Sequence, residues 1–327
     1  MGYSAEVVKR ARARLSQAKL DRELENRQNL TIAYQQVPRL REIDKQLQQT
    51  MLLAATAAFT PGANVAAQLE QAKQNNLSLQ AERQRLAQLH FEEGFLDETP
   101  ICPHCGGEGY VGTQMCECLR ELCRQEQKKE LTLLTGGRES FDQFRLDYYP
   151  DRVDPSLGVN IRSLMNKTFE TCRRYALTFS KSSGNLLFSG DTGLGKTFLS
   201  ACIARAVAES GHSVVYETAG RLFATLERAK FGGSEEERQA AEKYTACDLL
   251  IVDDLGTEMP SQFVTSALYG LVNDRILGSK STIISTTLNT KDLSKRYNSQ
   301  IASRLRGNYL RVSFLGDDIR MKKNWGL

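Results

Sequence analysis

Residues 186–200, LLFSGDTGLGKTFLS, place an apolar run, a glycine-rich turn and a Lys-Thr pair in direct succession. The turn at 190–197 fits the pattern GxxxxGK[ST], in which a loop between a strand and a helix wraps a chain of phosphates. The context agrees, because NLLFS before the turn is typical of a buried strand and TFLSACIARAVAES after its lysine is typical of a helix. We therefore predict a nucleotide-binding loop rather than a glycine-rich turn without a ligand.

Each part of this loop has a predicted role. Backbone amides and the helix N-terminus direct partial positive charge at the phosphates. Lys196 is expected to reach the β- and γ-phosphates, and Thr197 to ligate Mg²⁺. The residues predicted to bind ATP here are Gly190, Asp191, Thr192, Gly193, Leu194, Gly195, Lys196 and Thr197.

A second motif, CDLLIVDDLG at 247–256, provides carboxylates for the same site. Four apolar residues form a buried strand that ends in Asp253 and Asp254. Asp253 is placed to hold Mg²⁺ through water, and Asp254 to orient the attacking water as a general base. A strand of this kind is unusual in small-molecule kinases, so the two motifs together favour an ATPase whose hydrolysis drives a conformational change.

Apolar runs and amphipathic helices alternate from about residue 140, which predicts an α/β domain with a parallel sheet. We place its strands at 185–189, 213–216, 249–253, 282–287 and 309–314. The corresponding helices are placed near 160–180, 196–210, 219–231, 235–246, 261–279 and 298–306. The chain thus divides into a helical region at 1–95, a cysteine module at 96–125, a linker at 126–139 and an ATPase domain at 140–327. The segment RQEQKKE at 124–130 is predicted to be charged and helical.

Five of the eight cysteines lie between residues 102 and 123. Two close pairs, Cys102/Cys105 and Cys116/Cys118, can each give two thiolates to one tetrahedral Zn²⁺, with Cys123 and His104 as spare donors. Four sulfurs leave no position for water, so we expect a structural zinc rather than a catalytic one. A redox CxxC is the alternative, but a thioredoxin-like strand and helix do not surround it.

Charge and hydropathy restrict the binding partners and the cellular location that we expect for the protein. A net charge of +4 over 327 residues is compatible with nucleic acid or an acidic partner and requires neither. The N-terminal stretch has charges without a following apolar core, and the nine apolar residues at 51–59 are too few to span a bilayer. We expect a cytoplasmic chain without a membrane partner.

The segments LLIVDDLGTE, TIISTTL and SQIASRLRGNYLRVSFLGDDIR, together with SFDQFRLDYYP at 140–150, resemble AAA+ ATPases of the bacterial helicase-loader group. DnaC-like, DnaI-like and IstB-like proteins share this pattern, and the resemblance covers about residues 95–327. It implies a sheet of order 5-1-4-3-2 without a C-terminal helical lid. It also implies a nucleotide site completed by a neighbouring copy, hence ATP-dependent self-assembly.

The resemblance assigns further roles to single residues. Arg304 matches the arginine finger, with Arg306 as an alternate, and Arg320 matches the sensor II arginine that reads the phosphate in cis. Thr287 takes the sensor I position, where the family usually has asparagine. A hydroxyl offers one polar group where an amide offers two, which predicts slower hydrolysis.

Three functions follow as alternatives. The first is an ATP-dependent loader of the hexameric replicative helicase onto single-stranded DNA during initiation of replication, with the N-terminal region on the helicase. Lys230 and Phe231, a charge beside an aromatic face, are its candidate DNA contacts, unless they only belong to a helix that packs on the domain. The second is an IstB-like ATPase that regulates a transposase on duplex DNA. The third is an interaction adaptor whose ATPase is a slow switch. We expect the ATP hydrolysis of this chain to be slow and to be stimulated by a partner or DNA.

Overall fold

The computed structural model describes residues 3–57, 65–135 and 139–320. Two compact units divide the chain, one formed by Met1–Ala13 with Glu117–Leu327 and the other by Arg14–Cys116. The four-part division at residues 95, 125 and 139 therefore stays a prediction, because these units have other boundaries. The expectation that no lid follows Arg320 concerns residues 321–327, which lie outside the described ranges.

The larger unit contains a sheet whose five described strands are all parallel. In chain order these strands are β3 (Asn185–Ser189), β4 (Val214–Thr218), β5 (Leu249–Leu255), β6 (Ser281–Thr286) and β7 (Tyr309–Ser313). Their spatial order is β4-β5-β6-β3-β7, which is the predicted 5-1-4-3-2 read from the opposite edge. Residues 249–252 are fully or almost fully buried, since a parallel sheet covered on both faces requires continuous apolar strands.

The helices of this unit are α4 (Glu117–Thr135), α5 (Ile161–Leu177), α6 (Lys196–Glu209), α7 (Ala219–Phe231), α8 (Glu235–Ala246), α9 (Gln262–Leu277), α10 (Thr290–Arg296) and α11 (Ser299–Asn308). The six predicted between 160 and 306 are confirmed within a few residues. α10 was missed, because its seven residues are too few for a clear apolar period. Asn289 caps it through hydrogen bonds from the amides of Lys291 and Asp292.

Helix α4 begins inside the predicted cysteine module and includes most of the predicted linker. Leu119, Cys123 and Leu131 are buried at four- and eight-residue spacings among charged neighbours, which defines one packed face. Gln127 on that face donates to the carbonyl of His212 at 2.9 Å and accepts from the amide of Val214 at 3.0 Å. The segment is therefore a helix, and it is attached to the edge strand β4.

The smaller unit is mainly helical. Helix α1 (Ala5–Gln36) extends into it, and Pro38 begins α2 (Pro38–Ala57), which pairs with α3 (Val65–His90). Proline is favoured at this first helical position because its missing N–H has no partner there. Arg83 pairs with Asp44 at 2.7 Å and Arg39 with Glu82 at 2.9 Å, so α2 and α3 are joined by ion pairs as well as apolar contacts.

A two-stranded antiparallel hairpin, β1 (Tyr110–Val111) and β2 (Gln114–Met115), follows in the cysteine segment. It brings the second cysteine pair back toward the first, since the amide of Cys116 donates to the carbonyl of Gly109 at 2.8 Å.

Among the helices that the structure describes, none has a stretch long and apolar enough to cross a membrane.

Candidate nucleotide and metal sites

The phosphate loop connects the buried strand β3 to α6, which begins at Lys196. At Gly193 there is no room for a side chain. A Cβ at this position, where φ is +78°, would lie 1.8 Å from an oxygen of Asp318. The backbone also turns left-handed at Gly195, with φ at +89°. A side chain at Gly193 would therefore collide with Asp318, so glycine is required at this point of the loop.

The side chain of Lys196 contacts the backbone at the start of this loop. Its ammonium donates to the carbonyls of Gly190 and Asp191, both at 2.7 Å, and only 5% of the residue is exposed. Burial lowers the pKa of Lys196, and the carboxylates of Asp254 and Asp253 act in the opposite direction. A cation held this way is available to bind phosphate oxygens by exchanging its carbonyl partners for them.

Tyr149 supports the loop from the segment that precedes the domain. Its hydroxyl donates to the carbonyl of Leu194 at 2.9 Å, and its ring is buried beside Phe144, with centroids 5.7 Å apart. A Cβ on Gly195 would lie 2.9 Å from the Tyr149 hydroxyl. Sequence reasoning noticed SFDQFRLDYYP but assigned no role to Tyr149; its nearness to the loop depends on tertiary contacts.

The two carboxylates near the end of β5 have different environments. Asp253 is 2% exposed and accepts hydrogen bonds from Tyr216 and Ser285. Asp254 is exposed, with a left-handed φ of +56°. Burial, and then the charge of Asp253, raise the pKa of Asp254. A carboxyl with a raised pKa beside a phosphate loop is suited to exchange a proton with water.

A cavity of about 430 Å³ brings together much of the predicted site. Of the predicted residues, those that line it are Thr192, Gly193, Leu194, Gly195, Lys196, Thr197, Asp254, Thr287 and Arg320. Its remaining walls are Glu139, Gln143, Phe144, Arg145, Tyr148, Tyr149, Phe198, Thr257 and Ile319. The cavity thus has a polar side at the phosphate loop and an aromatic side, and the aromatic side was not predicted as part of the site.

Arg304 is not among the described residues that line this cavity. It lies on α11, where its guanidinium donates to the hydroxyl of Tyr269 at 2.9 Å and stacks 4.9 Å from the centre of that ring. Within one copy of the chain, the arginine is therefore held by a tyrosine and does not contribute to the cavity.

The four predicted cysteine ligands come together. The sulfurs of Cys102, Cys105, Cys116 and Cys118 all lie within 4.8 Å of one another. The Cys102 and Cys116 sulfurs are 3.8 Å apart, close to the edge of a tetrahedron whose Zn–S bonds are about 2.3 Å. Cys123 and His104 are not part of the group. Burial raises the pKa of Cys123 to about 11, which disfavours the thiolate that a metal requires.

Lys230 and Phe231 end α7 beside a third residue that sequence reasoning missed. Phe231 is 69% exposed, and its ring centroid lies 5.7 Å from that of Phe263 on α9. The Lys230 ammonium lies 5.7 Å from the centre of the first ring and 5.6 Å from that of the second. The three form an aromatic pair, with one ring exposed and the other half-buried, and a cation above it.

The sheet order, the phosphate loop after its first strand and the acidic pair after its third define a P-loop ATPase domain of AAA+ type. A family profile described as "IstB-like ATP binding protein" matches residues 161–305. Over residues 161–305 the chain is therefore similar to the IstB/DnaC-like AAA+ ATPases.

Individual relatives agree with this assignment. The replicative helicase loader DnaC of Buchnera aphidicola subsp. Acyrthosiphon pisum is 24% identical over 184 residues, 55% of this chain and 69% of the relative. An ATP-binding protein of insertion sequence IS232 from Bacillus thuringiensis subsp. berliner is 28% identical over 193 residues, 58% of this chain and 70% of the relative. DnaC of Escherichia coli strain K12 is matched over 62% of its length.

A solved structure is also similar to part of the chain. A crystal structure of the DnaC helicase loader aligns with 54% of this chain and 97% of the other, at 21% identity and a TM-score of 0.46.

Proposed function

We propose that this chain is an ATP-dependent loader of the replicative DNA helicase onto single-stranded DNA during initiation of replication. The observation that carries the proposal is the sequence match to relatives named replicative helicase loader DnaC. The phosphate loop and acidic pair support it, because both line or adjoin one cavity. The family match begins at residue 161, so the unit Arg14–Cys116 lies outside it and is available for another task.

At the nucleotide site, Lys196 binds the β- and γ-phosphates, and the backbone amides of the loop bind the other phosphate oxygens. Thr197 and Asp253 supply the hydroxyl and carboxylate oxygens that Mg²⁺ prefers, and the ion would neutralise charge on the phosphates. Asp254 accepts a proton from the attacking water, which its raised pKa favours. Thr287 and Arg320, on the cavity wall, contact the γ-phosphate and the attacking water.

Arg304 acts on a neighbouring copy. It does not line the cavity of its own chain, so its part in hydrolysis would be to reach the γ-phosphate bound by the next subunit. Self-assembly through the ATPase domain would then turn hydrolysis on. Turnover by the isolated chain is accordingly slow, and partner or DNA binding increases it.

The N-terminal region binds the helicase. We assign this role to the helices before residue 95, and we assign to the cysteine module a structural Zn²⁺ held by four thiolates. The spacing of the sulfurs supports the metal, because an unligated group of thiolates at such distances would repel itself. Thiolates kept for a metal fit the reducing cytoplasm, where we place the protein.

Single-stranded DNA is the proposed nucleic acid. Lys230 and Phe231 would contact it, with the phosphate near the ammonium and a base on the exposed ring.

A second candidate function is supported by the insertion-sequence relative and by the description of the family profile. In this alternative the chain regulates a transposase on duplex DNA. A third candidate, an adaptor switched by slow ATP turnover, rests on Thr287 at the position where related ATPases have asparagine. The cysteine cluster favours the loader, because a metal-stabilised module beside the ATPase domain offers a dedicated partner surface.

The decisive experiment is co-purification of the full chain with the ring helicase encoded beside it, with and without ATP. Loading predicts a complex that forms with ATP and delivers the helicase to a single-stranded circle. The Lys196→Ala chain is the matched control and is expected neither to form this ATP-dependent complex nor to deliver the helicase. Capture of a transposase on duplex DNA instead would favour the second function, and ATP turnover insensitive to both partners would favour the third.

A further inference from the structure

Asp253 is held by two hydroxyl groups from the strands on either side of it. The Tyr216 hydroxyl, on β4, donates to one carboxylate oxygen at 2.6 Å, and the Ser285 hydroxyl, on β6, donates to the other. All three side chains are buried. Since each oxygen of the carboxylate has its own donor, rotation of the group would break both hydrogen bonds.

The sheet register explains why these residues meet. Ile251 pairs with Tyr216 on one side and with Ile283 on the other. Asp253 and Ser285 each follow two residues later on β5 and β6, so both lie on the same face of the sheet as this row. A tyrosine is long enough to reach one row further along the strands, which a shorter residue at position 216 could not do.

Ser285 makes a second contact that involves Asp254. Its hydroxyl oxygen accepts a hydrogen bond from the Asp254 amide at 2.9 Å while its hydrogen is donated to Asp253. Asp254 has a left-handed backbone, which is unfavourable for a residue with a side chain. The serine therefore fixes the carboxylate of one acidic residue and the backbone of the next.

We propose that Tyr216 and Ser285 are positioning residues for the acidic pair: Tyr216 orients the Asp253 carboxylate for magnesium binding, and Ser285 orients the Asp253 carboxylate and the backbone of Asp254. The inference rests on the proposed ATPase site and names residues that the motifs themselves do not contain. Hydrogen bonds to a buried carboxylate are stronger than neutral ones, so losing one is expected to have a measurable effect.

The test compares Tyr216→Phe and Ser285→Ala with the unmodified chain. A fluorescent non-hydrolysable ATP analogue is titrated in EDTA and at a series of Mg²⁺ concentrations, and kcat and KM are measured for ATP. Tyr216→Phe is expected to bind the analogue normally in EDTA but to need about 5- to 10-fold more Mg²⁺ for the same gain in affinity. Ser285→Ala is expected to show the same shift together with a lower kcat, because Asp254 is also released.

Tyr309→Phe is the matched control. Tyr309 is a buried tyrosine at the opposite end of the strands, paired in register with Asn185, and its replacement should leave the Mg²⁺ dependence unchanged. An unchanged Mg²⁺ dependence in Tyr216→Phe would overturn the inference. So would an equal loss of analogue affinity in EDTA and in Mg²⁺, accompanied by a lower Tm, since that indicates a structural role only. Failure of the unmodified chain to bind the analogue would instead overturn the proposed function.

Discussion

The phosphate loop and the cysteine loop are both short and glycine-rich, but different forces hold them in place. The phosphate loop stands on a buried strand and a buried helix, and Tyr149 supports it from a third element. The cysteine loop, residues 102–118, has Cys102, Met115 and Cys116 as its main buried apolar groups. The first loop is therefore formed by the protein core before any ligand binds, whereas the second depends on its ligand for much of its stability.

The largest expected effect tests the loop that the core supports. Lys196→Ala should lower ATP hydrolysis by about 1,000-fold, because a charge at the transferred phosphate is lost. Tm should not fall, since a buried cation is removed from a loop that the core holds. Phosphate release measures the rate of ATP hydrolysis, and thermal unfolding measures Tm. Lys181→Ala, at an exposed loop position, is the control and should change neither; a large drop in Tm for Lys196→Ala would contradict the comparison.

The second prediction concerns the loop that depends on its ligand. Cys102→Ser should weaken Zn²⁺ retention by about 100-fold or more, because one of four thiolates is lost. Amides of the loop should then exchange with solvent rapidly while the ATPase domain keeps its turnover. Zinc content per chain and hydrogen exchange are the measurements. Cys123→Ala is the matched control, since this buried cysteine lies outside the cluster and should leave the zinc in place.

The third prediction concerns Asp254, the proposed general base of the nucleotide site, and its expected effect is smaller. Asp254→Asn should reduce turnover by about 100-fold, the usual loss when a general base is removed. In the unmodified chain, the raised pKa of Asp254 should move the acidic limb of the rate profile to a higher pH than an ordinary aspartate gives.

The effect of Asp254→Asn on stability is expected to depend on pH, in a direction that follows from the raised pKa of Asp254. A carboxyl whose pKa is raised by folding favours the folded state only while it is protonated, and this contribution disappears as the pH rises through its folded pKa. The nucleotide-free Asp254→Asn chain should therefore have a higher Tm than the unmodified chain at pH 7 and an equal one at low pH. A lower Tm at pH 7 would show that burial does not raise this pKa.

The smallest predicted effect is at Thr287. Thr287→Asn should raise turnover by about two- to fivefold, because an amide offers both a donor and an acceptor to the attacking water. Thr287→Ala should lower it. Steady-state hydrolysis with saturating ATP is sufficient for the comparison. Equal turnover in all three forms would mean that this wall of the cavity has no part in hydrolysis.

The strands could be predicted because each carries its own signal, whereas their order in the sheet was implied by the family resemblance. Residues 186–188 and 249–252 are continuous apolar runs, and the turns after them have characteristic chemistry. The cysteine cluster was predictable for a similar reason, since ligand spacing is visible in the sequence. These features are local, so one stretch of residues is enough to recognise them.

The missed features depend on residues that are distant in sequence. Tyr216 approaches Asp253 across 37 positions and Tyr149 approaches Leu194 across 45, so sequence patterns do not indicate either hydrogen bond. Helix was predicted for only part of α4, residues 124–130, because the buried face of this helix is formed by single residues separated by charged ones. A polar residue on that face, Gln127, weakens the apolar period further.

Gln127 also bears on how copies of this chain can associate. An outer strand such as β4 exposes free amides and carbonyls, to which a strand from another molecule could add. The side-chain amide of Gln127 already bonds two backbone groups at the start of that strand, much as one residue of an additional strand would. Replacing it with leucine would leave both groups unsatisfied and open the sheet margin to unwanted pairing between molecules.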